Sequence, residues 1–321
     1  MKTLEPERRE LIDALVAETA PAGITAGLLE KDEHLTDALR SLFALRLKGV
    51  QLVLCGGTSL AKAYGLIERM SEDADLKVVL SETEQPSRTE VRRRLSELKT
   101  LVSKTLTGIG LVEDKSKVQA FNDNRYFYSE WSYARQYASV AGLRPHLQIE
   151  LTARAPVLKT ETRKIASLAD QLATRTGRAF DAPTVAVAET VAEKVLSFLR
   201  RHAQHRAGLL RQPWDTALVR HLYDVHRIYR RHPGVLTAAR QAFPALVAGD
   251  QKEFGAQFPE FATAPCQVLA GALRQTRGDA KIRAEFTGNL LPLVYGDDAP
   301  TFAQAFADFN AVAQSLLDVL P

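Results

Sequence analysis

Residues 54–78 read LCGGTSLAKAYGLIERMSEDADLKV, and the order of features in this stretch decides the fold. An apolar, β-prone run at 50–55 ends at two consecutive glycines. Residues 58–69 can form a helix, and 75–80 return to an extended apolar pattern. The sequence therefore predicts a strand, a glycine turn, a helix and a second strand in immediate succession.

Two carboxylates begin the second of these strands. Asp73 and Asp75 are separated by one residue, so an extended backbone would point both to one face, with Cα atoms about 7 Å apart. Hard oxygen ligands in this arrangement suit Mg²⁺ or Mn²⁺. Mg²⁺ usually keeps waters and substrate phosphates as further ligands. Glu150 lies on the polar face of an alternating run at 146–154. We therefore predict Asp73, Asp75 and Glu150 as the metal ligands.

The glycine turn predicts a phosphate site beside the metal. Gly56 and Gly57 permit close approach of a phosphate, and the N-terminus of the following helix offers free N–H groups. Thr58 or Ser59 is expected to cap that helix and to add a hydroxyl contact. Arg69 could bind phosphate or support the acidic motif. A glycine pair or an Asp-x-Asp alone is usually structural, so the prediction of an NTP site depends on their combination.

The remaining sequence predicts an α/β (α+β) fold in two parts. In the first part, helices are predicted at 5–19, 23–48 and 88–107, a loop at 83–87, and strands at 124–133 and 146–154. After Pro183 the pattern is helical, with helices at 185–201, 214–231, 233–248, 262–282 and 301–320. We predict an α/β domain with N-terminal helices at 1–180 and a helical domain at 181–321. The aromatic run Tyr126, Phe127, Tyr128, Trp131 and Tyr133 is interpreted as sheet packing rather than a base-stacking surface.

Composition narrows the class of protein without identifying a partner. The chain has 321 residues, 45% of them hydrophobic and 25% charged, which is ordinary for a soluble globular protein. Cys55 and Cys266 are far apart and form no zinc or disulfide pattern. A polar N-terminus and the lack of a long apolar run predict a cytoplasmic protein without a membrane segment.

The net charge is only +4, but the basic residues are clustered. Three runs stand out: Arg88, Arg92, Arg93, Arg94, Lys99 and Lys104; Arg200, Arg201, His202, His205, Arg206 and Arg211; and Arg220, Arg227, Arg230 and Arg231. Any one run is usually a solvated helix face. Three runs around one acidic motif favour a nucleic-acid or nucleotide partner.

The motif stretch resembles the AbiEii/AbiGii-type nucleotidyltransferase toxins, including the MenT-like members, of the polymerase-β-like superfamily. The matching residues are Gly56, Gly57, Thr58, Ser59, Lys62, Tyr64, Gly65, Arg69, Ser71, Asp73 and Asp75. Downstream, Glu193 and Lys194 resemble the family's EK motif, and the run at 220–224 resembles its RDxYD motif, with His221 where Asp is commoner. The segment at 292–302 also resembles the C-terminal part of the family's sequences. The resemblance covers roughly 40–310.

The resemblance implies a bilobed fold with a mixed sheet, use of an NTP and Mg²⁺, and a partner antitoxin. It implies nucleotide addition to the 3′ acceptor end of tRNA, which blocks translation and growth. Asp73 and Asp75 would bind metal, Ser71 would contact phosphate or order the site, Lys194 would bind the triphosphate, and Asp224 would orient Lys194 or a substrate group.

Other interpretations stay open from the residues alone. By its position on an amphipathic helix Lys194 could be a surface lysine, and Asp224 could pair with Arg220 one turn away. The same site could nucleotidylate a protein or a small-molecule hydroxyl. The chain could also be an inactive nucleotide- or RNA-binding module. We expect a monomer.

Overall fold

The structure, a computed structural model, describes residues 1–18, 20–81, 87–140, 142–210 and 214–321. Most of the loop predicted at 83–87, and Arg211 of the second basic run, lie outside the described residues. The chain divides into two compact units: Met1–Pro156, Thr160–Val185 and Tyr295–Asp297; and Val157–Lys159, Ala186–Val294 and Asp298–Pro321. The two-domain boundary at residue 180 stays a prediction.

The first unit combines a mixed sheet with helices. Its helices are α1 (Pro6–Glu18), α2 (Ala26–Phe43), α3 (Gly56–Lys62), α4 (Arg88–Gly108) and α5 (Leu168–Leu172). Its strands are β1 (Val50–Leu54), β2 (Asp73–Leu80), β3 (Val112–Glu113), β4 (Gln119–Phe121), β5 (Tyr126–Ser132), β6 (Leu147–Thr152), β7 (Glu161–Ile165) and β8 (Phe180–Thr184). The sheet order is β3-β5-β6-β2-β1-β8-β7, and β4 pairs with β5. Strand β2 is parallel to β6, β1 is parallel to β8, and the other pairs are antiparallel.

The alternating sequence of the central strands gives the sheet one apolar and one polar face. The apolar face carries Ala74, Leu76 and Val78 of β2, which pack in one core with residues of β1, β5 and β6 and with α2 and α4. The intervening residues of β2, Asp73 and Asp75, necessarily point to the other face, because successive side chains of a strand alternate. Core packing therefore fixes the direction of both carboxylates.

The second unit is helical. Its helices are α6 (Val187–Arg206), α7 (Arg220–Arg231), α8 (Leu236–Phe254), α9 (Pro259–Thr263), α10 (Pro265–Thr276), α11 (Ala280–Glu285) and α12 (Phe302–Leu317). Helix α6 packs against α7, α8 and α10, and α12 packs against α7. The predicted fold class, mixed α/β with a helical second part, is confirmed. Within the described part of the chain, no helix is long and apolar enough to cross a membrane.

Two predicted helices were wrong in their extent. Helix α3 spans only Gly56–Lys62, and its N-cap is Cys55, which makes no side-chain capping bond, rather than Thr58 or Ser59. The continuous helix predicted at 262–282 is divided into α9, α10 and α11. Pro265 begins α10, and the residue before a proline is disfavoured in helical conformation, which ends α9 at Thr263.

Candidate active site

The polar face of the sheet brings the predicted carboxylates together. Asp75 of β2 is the direct register partner of Glu150 on β6, and Asp73 is the partner of Gln148. Directly opposed residues on paired strands share a face. The hydroxyl of Tyr126, on the neighbouring strand β5, donates to Glu150 Oε2 at 3.0 Å. Burial, followed by the charge of Glu150, raises the pKa of Tyr126, so this phenol stays protonated as a donor.

The glycine turn lies against the second aspartate. Gly56 has a φ of +68°, and a β-carbon at this position would overlap the Asp75 carboxylate. The Cys55 amide donates to the Asp75 carbonyl at 3.0 Å, which fixes the end of β1 against β2. Gly56 is therefore required both by its backbone conformation and by the closeness of Asp75. The turn and the acidic motif form one packed unit.

The residues after Gly56 hold this unit together from inside. Thr58 Oγ1 lies 2.9 Å from Ser71 Oγ and also contacts the Asp73 carbonyl oxygen, and the Ser59 hydroxyl donates to the Gly56 carbonyl at 2.9 Å. Both Thr58 and Ser59 are fully buried. Their observed partners are protein groups, and direct contact of either hydroxyl with a nucleotide stays a prediction.

Arg69 supports the motif. Its side chain is buried, and Nη1 donates to the Met70 carbonyl at 3.0 Å. A β-carbon on Gly57 would lie 2.8 Å from Arg69 Nη2 and 2.9 Å from Ser71 Oγ. The second glycine therefore makes room for Arg69 and Ser71. Of the two roles considered for Arg69, these contacts favour support.

Helix α2 braces the site through a run of five buried polar residues, Glu30, Lys31, Asp32, Glu33 and His34. Lys31 Nζ donates to Glu72 Oε2, within the acidic motif, at 2.8 Å. Asp32 Oδ1 accepts from Lys62 Nζ, at the end of α3, at 2.6 Å. The glycine-turn helix and the acidic strand are therefore both tied to α2 by buried ion pairs. Sequence reasoning missed these residues, because charged runs on helices are usually solvated.

Arg144 is a further residue that the sequence did not indicate. Its Nη1 lies 2.9 Å from Asp73 Oδ1 and also contacts Gln148 Oε1. Its backbone amide donates to Glu72 Oε2 at 2.7 Å. Arg144 therefore touches both the acidic motif and the strand that carries Glu150.

The carboxylates fit a magnesium ion that also uses substrate oxygens. Among the described residues, no three His, Cys, Asp or Glu side chains are gathered closely enough to hold a metal by themselves. Asp73 and Asp75 nevertheless present oxygen donors on one face, with Glu150 on the adjoining strand. Mg²⁺ commonly binds through one or two carboxylates plus phosphates and waters, so this donor set is compatible with it.

In the second unit, Lys194 of α6 forms a buried ion pair with Asp224 of α7. The Nζ–Oδ2 distance is 2.7 Å, and the two side chains are 8% and 0% exposed. The interpretation of Lys194 as a surface lysine is therefore wrong. His221 Nδ1 lies 3.1 Å from the Lys194 carbonyl oxygen, which requires the proton on Nδ1. Burial, then the charge of Lys194, lowers the pKa of His221 well below its usual value, so the ring is a neutral donor to α6.

The basic runs differ from the positively charged surface around the acidic motif that the sequence suggested. Helix α4 packs on the apolar face of the sheet, opposite Asp73 and Asp75, and its Arg93 and Arg94 pair with Glu90. In the second unit, Arg200 is buried against Asp250, and Arg230 pairs with Asp308. Many of these cations thus neutralise local carboxylates, and the first run does not flank the acidic motif.

The aromatic run is divided between the two faces of the sheet. Phe127, Trp131 and Tyr133 belong to the core, as predicted for sheet packing. Tyr126 and Tyr128 point to the polar face, and the Tyr128 hydroxyl donates to Glu130 at 2.7 Å. Tyr126 therefore belongs to the surroundings of Glu150 rather than to the core.

A strand, a glycine turn and a short helix, with paired aspartates on the adjoining strand, define the class of nucleotidyltransferases. The chain belongs to the family of AbiEii nucleotidyl transferase toxins of type IV toxin–antitoxin systems, whose family model matches residues 37–308. Its fold is similar to that of MenT4, a nucleotidyltransferase toxin from Mycobacterium tuberculosis H37Rv, with a TM-score of 0.51 and 19% sequence identity over 98% of this chain and 90% of that chain. Comparison with curated proteins finds no match. The family resemblance read from the motifs is confirmed, and the protein is a nucleotidyltransferase.

Proposed function

We propose that this toxin transfers a nucleotide from an NTP to the 3′ acceptor end of tRNA in a Mg²⁺-dependent reaction, with Mn²⁺ as a possible substitute. The observation that carries the transfer chemistry is the packing of Gly56 against Asp75, with Asp73 and Glu150 on the same sheet face. This arrangement offers carboxylates for a metal beside the glycine turn at which we expect phosphate to bind. The choice of tRNA rests on the family resemblance.

In the proposed reaction the terminal 3′-hydroxyl oxygen attacks the α-phosphorus of the NTP. A new P–O bond forms, the bond from the α-phosphorus to the bridging oxygen breaks, and pyrophosphate leaves with that electron pair. The hydroxyl proton passes to a carboxylate or to solvent. Bound Mg²⁺ would lower the pKa of the attacking hydroxyl and offset charge on the leaving group.

We assign the protein residues to this reaction as follows. Asp73, Asp75 and Glu150 hold the metal, and Gly56, Gly57, Thr58 and Ser59 form the turn that receives phosphate. Ser71 orders the turn, and Arg69 supports it. Lys194 binds the triphosphate as a point charge, and Asp224 holds its ammonium in place.

The acceptor is tested by incubating the protein with Mg²⁺, each labelled NTP in turn, and total tRNA. Labelled tRNA is the expected result, and sequencing the 3′ ends would identify the site of addition. If no NTP labels RNA, the tRNA assignment fails. Label on protein or on a small-molecule hydroxyl would instead indicate the other acceptor classes.

The variant Asp75→Ala tests whether the chain acts as an enzyme or as a binding module. We expect it to lose at least about a hundredfold in transfer and to relieve growth arrest, because a metal-held charge in the transition state is lost. Glu161→Ala, an exposed acidic residue on β7, is the matched control and is expected to retain activity. Growth arrest by a folded Asp75→Ala protein would contradict catalysis as the toxic activity.

Membership of a type IV toxin family supports an antitoxin as a further partner. We propose that this antitoxin is a protein, that the toxin acts in the cytoplasm, and that it is a monomer. Size-exclusion chromatography with light scattering tests the last point, and a mass near 35.4 kDa is the expected result.

A further inference from the structure

The guanidinium of Arg144 forms an ion pair with Asp73, one of the proposed metal ligands. Its Nη1 lies 2.9 Å from Asp73 Oδ1, where a metal ion would bind. The two side chains are 32% and 29% exposed, so the pair stands at the edge of solvent rather than in the core. A divalent cation at the same oxygen would meet both steric overlap and repulsion from this positive charge.

The backbone of Arg144 is held more firmly than its side chain. The amide donates to Glu72 Oε2 at 2.7 Å, and the carbonyl accepts from Lys31 Nζ at 2.9 Å. Lys31 and Glu72 are themselves a fully buried ion pair. The Cα atom of Arg144 is therefore fixed next to the acidic motif. The partly exposed guanidinium can change partners by rotation about the side-chain torsions.

A triphosphate carries more negative charge than the Asp73 carboxylate, and arginine binds phosphate oxygens in the same bidentate manner as carboxylate oxygens. The Arg144–Asp73 pair is partly exposed, and an ion pair at the edge of solvent is weak. When a metal-bound triphosphate arrives, the metal satisfies Asp73, and the phosphates offer Arg144 new acceptors. Each event makes the other more favourable.

We propose that Arg144 is a positioning residue that blocks Asp73 in the nucleotide-free enzyme and moves to the triphosphate when metal and NTP bind together. The inference rests on the proposed function, because it requires Asp73 to bind metal. Its consequence is that metal alone binds weakly, and that metal and nucleotide bind cooperatively.

The test measures Mn²⁺ binding by electron paramagnetic resonance without nucleotide. We expect Arg144→Gln to bind Mn²⁺ about fivefold more tightly than the wild type, since a competing pair at the edge of solvent is removed. We expect the same variant to bind a non-hydrolysable NTP with Mg²⁺ about tenfold more weakly, since a charge-assisted phosphate contact is lost. Arg144→Lys keeps the charge and should lie near the wild type in Mn²⁺ affinity.

The controls separate this inference from the proposed function. Arg175→Gln removes an exposed arginine that pairs with Glu7 at 3.8 Å, and it should leave both affinities unchanged. Asp73→Asn should abolish Mn²⁺ binding, so that the resonance of free Mn²⁺ stays undiminished. If Asp73→Asn binds Mn²⁺ normally, the metal assignment fails and the inference fails with it. If Asp73→Asn loses binding while a folded Arg144→Gln gains none, only the role of Arg144 is overturned.

Discussion

At the scale of single residues, Gly56 joins the backbone conformation to the chemistry. Its positive φ lets the chain turn from β1 into α3, and the missing β-carbon lets the Asp75 carboxylate lie against it. An L-residue here would face both a strained conformation and an overlap. Since Asp75 is fixed from the other side by the core of the sheet, the carboxylate would have to rotate away.

We predict that Gly56→Ala loses at least about a hundredfold in nucleotide transfer, because a displaced Asp75 can no longer hold the metal. Gly208→Ala, outside the motif, is the matched control. Gly208 has the same positive φ, of +68°, but a β-carbon there meets nothing within 4 Å among the described residues. Both variants should lose about 1 kcal/mol in stability from the strained backbone, and Gly56→Ala should lose more because of the overlap with Asp75, as measured by urea unfolding. Equal activity in the two variants would show that the overlap with Asp75 is unimportant.

At the scale of elements, the sequence predicts the helices and strands whose own residue pattern shows which face is buried. Strand β6 is predicted because its alternation between apolar and polar residues reports a half-buried sheet, and β2 is predicted from the extended apolar pattern at 75–80. The same alternation indicated Glu150 as a neighbour of the Asp pair, and the register pairs it with Asp75. Strand β7, with the sequence ETRKI, was missed because an edge strand with exposed faces lacks this alternation.

Helix α2 shows that a local sequence pattern does not reveal contacts with distant parts of the chain. Its run from Glu30 to His34 has the composition of a solvated helix face, yet all five residues are buried. Their partners come from distant parts of the chain, such as Glu72 for Lys31 and Arg8 for Glu33. No periodicity within α2 encodes those contacts, so its bracing role emerges only in the tertiary structure.

We predict that Lys31→Met destabilises the first unit by about 3–5 kcal/mol, because it removes the buried cation that pairs with the Glu72 carboxylate. The matched control is Lys164→Met. Lys164 pairs with Asp181 at 3.3 Å, but the two side chains are 75% and 60% exposed. An exposed pair of this kind contributes about 0–1 kcal/mol. Urea unfolding distinguishes the two, and a loss below 1 kcal/mol for Lys31→Met would mean that Glu72 has adequate support without Lys31.

At the scale of the whole molecule, the number of basic residues in a run says less about a binding surface than the position of each charge in the structure. The described residues of the three basic runs lie mostly on helices, and several of these cations pair with nearby carboxylates, as Arg200 does with Asp250. Conversely, Arg144 stands alone in the sequence and yet touches Asp73. Spacing along the chain predicted the carboxylates of one strand, whereas the positive charge beside them comes from a loop about 70 residues away.

The histidines make the stability of the molecule depend on pH in one direction. Burial lowers the pKa of His34 to about 4, and neither ring nitrogen of His34 has a hydrogen-bond partner among the described residues. Burial also lowers the pKa values of His146, His202, His221 and His226. Between pH 6.5 and 4 the histidines of the unfolded chain therefore bind protons that those of the folded chain exclude, so their contribution to the free energy of unfolding falls as the pH falls.

The variant His34→Phe isolates one part of this effect. Phenylalanine can retain the ring contact with Tyr133, whose centroid lies 4.3 Å from that of His34, and it cannot be protonated. Lowering the pKa of His34 from 6.5 to about 4 corresponds to about 3 kcal/mol, so the free energy of unfolding of His34→Phe should rise by up to that much relative to the wild type between pH 7 and pH 4. Urea unfolding at several pH values measures the gain, and His232→Phe, at an exposed histidine, is the matched control. Parallel pH curves for His34→Phe and the wild type would mean that His34 accepts a proton in the folded state as readily as in the unfolded chain.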